Sequence, residues 1–242
     1  MGEWHHILEG KTTMHRSPAA FRKDLERLYK DGFRPVTVSE YLTDKMDLPP
    51  GASPVVMTFD DSNPSQFKMN PDGSVDPECG IGIWQAFAKE HPDFPVHGTF
   101  FVLPDVMWTQ PKFVTQKVKM LEGMGSELAN HTMTHPILRK LSDAKATAEI
   151  VDATARLRKL GVQGPVSLAL PFGVSPKNKT IVKTLVDKGE LSGVFLVGAN
   201  PAPPPDKLAL TRIPRIQAYD GPYGLKDWLD QFEKGKVKVY VE

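Results

Sequence analysis

Apolar residues along this chain recur at two spacings, and the pattern predicts strands and helices in regular alternation. Short apolar runs rich in β-branched residues are typical of buried strands, and apolar residues three and four apart are typical of helices. The first helix illustrates the second spacing, because Phe21, Leu25 and Leu28 follow a Ser17-Pro18 start that suits a helix cap. Strands are predicted at 4–8, 33–38, 55–59, 97–103, 125–129, 166–170, 192–197 and 210–213. Helices are predicted at 17–31, just after a Ser39 cap, and at 81–89, 111–123, 142–160, 175–188 and 225–234.

The alternation amounts to roughly seven or eight strand–helix units. The chain contains no G-x-G-x-x-G fingerprint of a dinucleotide-binding sheet. An α/β fold with a closed parallel barrel is therefore favoured over a doubly wound sheet. The proline-rich stretch 201–205 resembles a linker, but too few residues follow it to form a second core. We therefore expect one domain over residues 1–242.

Composition and charge narrow the classes of function. The 242 residues are 40% apolar and 24% charged, and 30 basic against 29 acidic side chains leave a net charge of +1. This balance gives no electrostatic reason to expect nucleic acid or an anionic membrane as a partner. No apolar run approaches the ~20 residues of a membrane span, and residues 1–5 lack the pattern of a signal peptide. The chain is expected to be soluble and monomeric, and its single cysteine, Cys79, excludes an internal disulfide.

The predicted strand that ends at Phe59 delivers two adjacent carboxylates, Asp60 and Asp61. The carboxyl ends of parallel strands are where catalytic groups usually lie in α/β folds, so we expect both carboxylates in a site. The same residues with the Ser-Asn-Pro sequence that follows would also suit an ordinary turn. The polar loop 62–79 is expected to form one wall of a substrate groove.

A second polar cluster follows the predicted strand 125–129. His131 and His135 are four residues apart, about one helical turn, so both could face one metal ion. Two histidines together with a carboxylate favour a zinc or iron(II) site. We expect Asp61, His131 and His135 to be the metal ligands, with Asp60 left free to act as a base.

Four short motifs occur in one order along the chain, namely Thr58-Phe59-Asp60-Asp61, Thr99-Phe100-Phe101-Val102, His131-Thr132-Met133-Thr134-His135-Pro136 and Pro171-Phe172-Gly173. Each motif is weak alone, but the ordered set resembles the successive motifs of the polysaccharide deacetylases, the family 4 carbohydrate esterases with the NodB-homology domain. The resemblance runs from about residue 4 to about residue 216, nearly the whole chain. It implies a distorted (β/α) barrel of about seven parallel strands.

The resemblance also implies a reaction. The expected function is metal-dependent hydrolysis of acetyl groups from N-acetylated sugars of a polysaccharide, with O-acetyl groups as the second option. Zn²⁺ is the expected metal, with Co²⁺ or Ni²⁺ as alternatives. The implied substrate lies in the cell wall or outside the cell, so an extracellular or cell-surface location is implied as well.

The resemblance assigns roles to individual residues. Asp60 is the base, and the Phe172 N–H would help to bind the oxyanion that forms at the acetyl carbonyl. Leu170 and Pro171 would line the acetyl pocket, and Arg215 is expected with them among the substrate-binding residues.

The chain departs from the family pattern at Ala169, where the family usually has an arginine that orients the base. Arg212 or Arg215 could supply the missing cation, because both flank a predicted strand end late in the chain. A surface or salt-bridging role is the alternative for both arginines.

A second departure is that no histidine follows His135, although the family places a general-acid histidine near its C-terminal end. His5 or His6 could replace it, because the first strand of a closed barrel can neighbour the last one, and we take His6 as the candidate. Only one of the two is expected to point inward, and a packed or solvated histidine is the alternative.

The two departures favour a rival interpretation, a catalytically impaired carbohydrate-binding or cell-wall-associated module that keeps the deacetylase fold. Removal of a general acid commonly lowers a rate by ~10²–10⁴-fold, so the absences reduce turnover more readily than they abolish it. The enzyme is therefore the preferred interpretation.

Overall fold

The computed structural model describes residues 1–198 and 200–241. Within these residues it contains eight strands, β1 (Gly2–Trp4), β2 (Phe33–Val36), β3 (Ser53–Phe59), β4 (Thr99–Val102), β5 (Glu127–Asn130), β6 (Val166–Ala169), β7 (Leu191–Phe195) and β8 (Ile216–Gln217). The α-helices are α1 (Pro18–Lys30), α2 (Val38–Thr43), α3 (Gly80–Glu90), α4 (Val114–Gly123), α5 (Asp143–Lys159), α6 (Thr180–Asp187) and α7 (Leu225–Glu233). None of the helices in the described residues has the length and apolar character that crossing a bilayer requires.

The strands form one parallel sheet in the order β7-β6-β5-β4-β3-β1-β8, and β2 pairs with β3 beside this path. The neighbouring strands run parallel throughout, for example with Thr58 opposite Thr99 and Ala169 opposite Phe195. Helices connect most of the successive strands, as parallel pairing requires. The expected distorted (β/α) barrel of about seven parallel strands is confirmed.

The segment 213–217 brings the two ends of the sheet together. Ile213 bridges to Phe195 at the end of β7, and Ile216 pairs with Gly2 on β1. The prediction of a strand at 210–213 is wrong. The regular strand in this part of the chain is β8, which begins three residues after residue 213. Pro214 separates the two paired stretches and has no N–H to donate to a ladder.

Side chains alternate along each strand between the inside of the curled sheet and the layer of helices outside it. On β3, Val56 belongs to the inner cluster, whereas Val55, Met57 and Phe59 pack in the outer one. The inner cluster also contains Phe101, Ala129, Ala169, Phe195 and Ile213. The outer side chains pack against the helices, with α1, α3, α4 and α7 over one part of the sheet and α5 and α6 over the other.

Most predicted helices are present, with ends that depend on local capping. Ser17 caps α1 as predicted, since its side chain accepts from the Ala20 N–H. Thr37, and not Ser39, caps α2, where it forms a reciprocal capping box with Glu40. Helix α6 begins at Thr180 instead of 175, after a turn in which Asn178 Oδ1 accepts the Thr180 N–H.

Candidate active site

The site lies at the carboxyl edge of the sheet, where β1, β3, β5 and β6 all end. Asp60 directly follows β3 on the inner side, and none of its surface is exposed. Asp61 is next, in a left-handed conformation with φ of 75°, so the chain turns away from the strand at this residue. Its side chain is 20% exposed, which leaves it accessible from the mouth of the barrel.

Arg215 holds Asp60 from the segment that closes the sheet. Its Nη1 and Nη2 atoms each donate to a different Asp60 oxygen at 2.7 Å, and its Nε lies 2.9 Å from Glu3 Oε2 while donating to the Leu196 carbonyl. Burial opposes ionisation of Asp60, but the charges of Arg215 and then His131 keep the pKa of its carboxyl below the usual range. Asp60 is therefore held as an oriented carboxylate.

This geometry agrees with the prediction that Arg215 replaces the missing cation. It corrects the expectation that Arg215 binds substrate, because the guanidinium is completely buried between two carboxylates. Arg212, the other candidate, is exposed on the surface.

Ala169 faces the same interior region. It belongs to the inner cluster with Phe101, and the Arg215 guanidinium lies 5.3 Å from the centre of the Phe101 ring. The small side chain of Ala169 on β6 leaves space in this region for the large side chain of Arg215, which extends from the segment 213–217. The cation beside Asp60 is therefore Arg215, and β6 provides none at Ala169.

His131 and His135 meet at Asp61. The Nε2 atoms of the two histidines lie 3.1 Å and 3.2 Å from Asp61 Oδ1. The predicted pair is brought together, but it is not on a helix. His131 directly follows β5, and His135 has a left-handed φ of 58° in an irregular loop. The expectation of one helical turn between the two histidines is wrong for that reason.

Side-chain hydrogen bonds hold the histidine loop in place of helical ones. Asn130 Oδ1 accepts the Thr132 N–H, and Thr132 Oγ1 accepts the His135 N–H. Glu149 on α5 accepts the N–H groups of Met133 and Thr134 through Oε2. Such local bonds compete with helix formation, so the loop has a fixed and non-helical shape.

The donors of Asp61, His131 and His135 suit one divalent metal ion. One donor atom from each lies within 4.8 Å of the others. His131 Nδ1 is 2.9 Å from the Ala169 carbonyl, which can only accept, so Nδ1 carries a proton and Nε2 is the atom that faces Asp61. Burial opposes ionisation of Asp61, but hydrogen bonds from His131, His135 and His5 hold its pKa far below the usual range. Two nitrogens and an ionised oxygen are the donor set of a tetrahedral site with one open position.

Both histidines of the first segment reach Asp61. His5 is buried, with Nδ1 at 3.0 Å from Asp61 Oδ2, and His6 is 28% exposed, with Nε2 at 3.8 Å from the same oxygen. The expectation that only one of them points inward is therefore wrong. Burial acts against the charge on His5, but hydrogen bonding to Asp61 and the nearby carboxylate of Glu3 raise its pKa to about 10.

Glu3 is the site residue that sequence reasoning missed. It is completely buried, and its two oxygens lie 2.9 Å from Arg215 Nε and 3.7 Å from His5 Nε2. A charged residue in a strand of three residues is normally expected to lie on the surface. The sequence contains one signal of its position. In an extended strand, residues two apart point to the same face, so Glu3 would lie on the same face as His5.

The Pro171-Phe172-Gly173 turn follows β6 and borders the same site. The Phe172 ring is 58% exposed and lies 4.7 Å from the His135 ring, and the residue has a left-handed φ of 57°. Gly173 and Val174 donate back to Leu170 and Pro171, while the Phe172 N–H donates to no residue that the structure describes. Leu170 faces the outer layer, where it packs with Leu138, so the structure assigns it to support of the turn and not to the pocket surface.

A curled parallel barrel with an Asp-His-His cluster at its carboxyl edge is an arrangement that suits metal-assisted hydrolysis. Residues 47–189, more than half of the chain, match the model of the polysaccharide deacetylase family. The chain belongs to this family. Deacetylases of the family use a divalent metal, and Asp61, His131 and His135 provide possible ligands for one.

Individual relatives cover parts of the chain. A chitooligosaccharide deacetylase from Bradyrhizobium sp. (strain ANU 289) is 28% identical over 125 residues, which are 51% of this chain and 48% of that protein. The peptidoglycan-N-acetylmuramic acid deacetylase PdaC of Bacillus subtilis (strain 168) is 32% identical over 77 residues, which are 32% of this chain and 16% of that protein. The chain therefore spans half or less of the length of these two relatives.

The fold is shared with a solved structure over almost the full length. The Streptococcus pyogenes deacetylase PplD, solved in complex with acetate, superposes with a TM-score of 0.71 at 17% identity. The match covers 94% of this chain and 95% of that one, and at this identity the likeness concerns the fold.

Proposed function

We propose that this protein is a metal-dependent hydrolytic deacetylase that removes acetyl groups from N-acetylated sugars of a polysaccharide. One observation carries the proposal. The three candidate ligands Asp61, His131 and His135 converge next to Asp60, which two parallel hydrogen bonds from Arg215 hold as a carboxylate. Acyl hydrolysis at a metal needs such a base beside the ligands and separate from them.

A divalent metal held by the three ligands would polarise the acetyl carbonyl and lower the pKa of a water bound to it. Asp60 accepts the proton of the attacking water, since its carboxylate oxygen lies 4.0 Å from His131 Nε2 and so borders the same space. The Phe172 N–H is available to donate to the oxyanion. Buried Pro171 is the proposed wall of the acetyl pocket.

His6 is the proposed acid that protonates the leaving amine. Its ring lies beside Asp61 and is partly exposed, so a substrate can reach it. His5 is less suited, because it is buried between Asp61 and Glu3 and acts to hold Asp61 in position. Replacing His6 with alanine should lower turnover and leave the metal content unchanged, because an acid stabilises the transition state and is not a ligand.

The metal, the domain, the substrate and the location are the finer parts of the proposal. Zn²⁺ is the proposed metal, because its preferred ligands are those present. Residues 1–242 form one catalytic domain that acts as a monomer. An acetylated polysaccharide of the cell wall or the extracellular space is the proposed substrate, which implies secretion or a cell-surface location. The family resemblance to deacetylases of chitooligosaccharide and peptidoglycan supports this choice.

Acetate release from chitin oligomers, peptidoglycan fragments and acetylated xylan, with and without added metal, tests the function. The wild-type protein should release acetate from at least one N-acetylated glycan. Asp60→Asn should bind metal equally but turn over ~10²–10⁴-fold more slowly, because only the base is lost. A protein that binds these glycans and metal but releases no acetate would instead be the impaired carbohydrate-binding module, and the proposal would be wrong.

A further inference from the structure

A basic groove adjoins the active site on the side of β6 and β7. Its volume is about 540 Å³, and its lining includes Gly173, Leu196 and residues along the full length of α6. Gly173 follows Phe172, whose ring borders His135, and the Leu196 carbonyl accepts from Arg215, which holds Asp60. The groove therefore begins where the active-site turn ends, and from there it extends along α6.

Four cations and one carboxylate line this groove. The cations are Arg139, Lys179, Lys183 and Arg212, and the carboxylate is Asp187. Lys183 pairs with Asp187 at 2.5 Å. The other three cations make no ion pair with a residue in 1–198 or 200–241, and all three are exposed. A chain with a net charge of only +1 thus concentrates three unpaired positive charges in one depression beside its active site.

The lining also contains hydroxyl groups from Ser175, Thr180 and Thr211. Hydroxyl groups and cations together suit a sugar that carries an anionic group. The guanidinium groups of Arg139 and Arg212 can each donate two parallel hydrogen bonds to a planar carboxylate or to a phosphate, and Lys179 adds a point charge. A neutral glycan would gain little from this arrangement.

We propose that the groove is a subsite for an anionic group, a carboxylate or a phosphate, carried by a sugar next to the one that is deacetylated. The proposal rests on the proposed function, because the groove is useful only to a glycan that also reaches Asp61. It names the class of substrate more narrowly, as an acidic glycan in preference to a neutral one. The cations act on binding and do not touch the reacting acetyl group.

The test compares two triple variants of the full chain. Arg139→Gln/Lys179→Gln/Arg212→Gln removes the unpaired cations of the groove. Lys140→Gln/Lys177→Gln/Lys188→Gln is the matched control, because it removes the same charge from exposed lysines that do not line the groove. Thermal unfolding of both variants verifies that they remain folded.

Four probes separate the possible ligands. They are N-acetylglucosamine–N-acetylmuramic acid oligomers, the same oligomers with their carboxylates reduced to alcohols, a phosphorylated chitooligosaccharide, and a neutral chitooligosaccharide of equal length. Binding is measured by calorimetry, and KM and kcat are measured from acetate release. Binding of only one of the two acidic probes identifies carboxylate or phosphate as the natural anion.

The groove variant should bind the preferred acidic probe roughly tenfold more weakly than the wild type, since exposed cations contribute modestly one by one. The loss should appear in KM and not in kcat, and added salt should reduce it. The neutral and reduced probes should be unaffected, and the control variant should resemble the wild type.

The subsite is wrong if neither acidic probe binds more tightly than its neutral counterpart, or if the groove and control variants lose affinity equally. Calorimetry decides this even if no probe is deacetylated. Absence of acetate release from every probe, with selective binding of an acidic one, would overturn the proposed function and leave the subsite intact.

Discussion

Arg215 and Asp60 form a hydrogen-bonded pair although they are 155 positions apart along the chain. At the scale of single residues, the need for a cation beside the base could be predicted, and Arg215 was one of two candidates. The choice between Arg212 and Arg215 could not be made from the sequence, because it depends on which of the two side chains faces inward where the chain enters the segment 213–217. Glu3 was missed for a similar reason, since its burial depends on a pairing with β3 and β8.

Removing Arg215 and placing an arginine on β6 instead tests the role of the cation beside Asp60. Arg215→Ala should lower kcat by ~10²-fold or more, because Asp60 and Glu3 are left as buried carboxylates without their partner. Adding Ala169→Arg to this variant should restore part of the turnover, because both positions face the same interior region. Steady-state kinetics with acetate release provide the measurement. Ala169→Arg alone is the control and should be destabilised, since two guanidinium groups would then share one space. If the double variant recovers no turnover, a cation on β6 cannot replace Arg215, and the expectation is wrong.

Five non-glycine residues with positive φ surround the site, namely Asp61, Ser62, Thr132, His135 and Phe172. Such conformations cost free energy and persist where surrounding contacts hold them. Ser62 illustrates this, because its Oγ accepts the Leu103 N–H from the end of β4. Local sequence patterns do not reveal these conformations, because none of the five is the glycine that a left-handed turn normally selects.

At the scale of elements, the ends of β3 and β5 were predictable, and they place the metal-ligand candidates. The apolar runs before Asp60 and before His131 are strong strand signals. The shape of the loop after β5 was not predictable, because it depends on Glu149, which lies more than a dozen residues away on α5.

Glu149 offers a test of this loop. Glu149→Ala removes the acceptor for the Met133 and Thr134 N–H groups and should loosen the position of His135. The affinity for metal should fall by about 10–100-fold, as is typical when a group that orients a ligand is lost. Metal titration followed by calorimetry measures the change. Asp152→Ala on the exposed part of the same helix is the control and should have no effect.

A second prediction at this scale concerns His97, which ties the entry to β4 to the cap of α2. His97 Nε2 lies 2.7 Å from Glu40 Oε2, and although burial opposes its charge, this carboxylate raises the pKa of His97 above its usual value. The His97–Glu40 ion pair therefore stabilises the folded state fully below about pH 6.5, the usual histidine pKa. This contribution is lost as the pH rises through the raised pKa of His97.

His97→Gln should lower the free energy of unfolding by about 0.5 kcal/mol at pH 5.5, and the difference from wild type should shrink toward alkaline pH. Denaturant unfolding at a series of pH values gives the result. A difference that stays constant with pH would show that the ion pair is not its cause.

At the scale of the whole molecule, the barrel and the single succession of strand–helix units followed from hydrophobic spacing. The closing strand did not, because β8 has only two residues and its neighbour Ile213 forms an isolated bridge. Short strands with a proline between them carry no periodic signal that could be recognised. Sheet closure nevertheless decides the chemistry, since it places Arg215 beside Asp60.

Gly198 is required for this closure. A Cβ atom at residue 198 would lie 1.3 Å from the Arg215 carbonyl oxygen. Gly198→Ala should therefore displace the closing segment, lower stability by ~2–4 kcal/mol and reduce turnover. Gly123→Ala, where an added Cβ meets no atom within 4 Å, is the control and should be neutral or slightly stabilising. Wild-type turnover in Gly198→Ala would mean that the closing segment does not position Arg215.

One metal ion, held by Asp61, His131 and His135, is proposed to support acetyl hydrolysis beside Asp60. The decisive measurement is titration of metal-free protein with Zn²⁺, followed by acetate release from an N-acetylated glycan. We predict no release before metal is added, a rise that saturates at about one equivalent, and no rise in His131→Ala/His135→Ala. Full acetate release by the metal-free protein, or an unchanged titration in the double variant, would contradict the account.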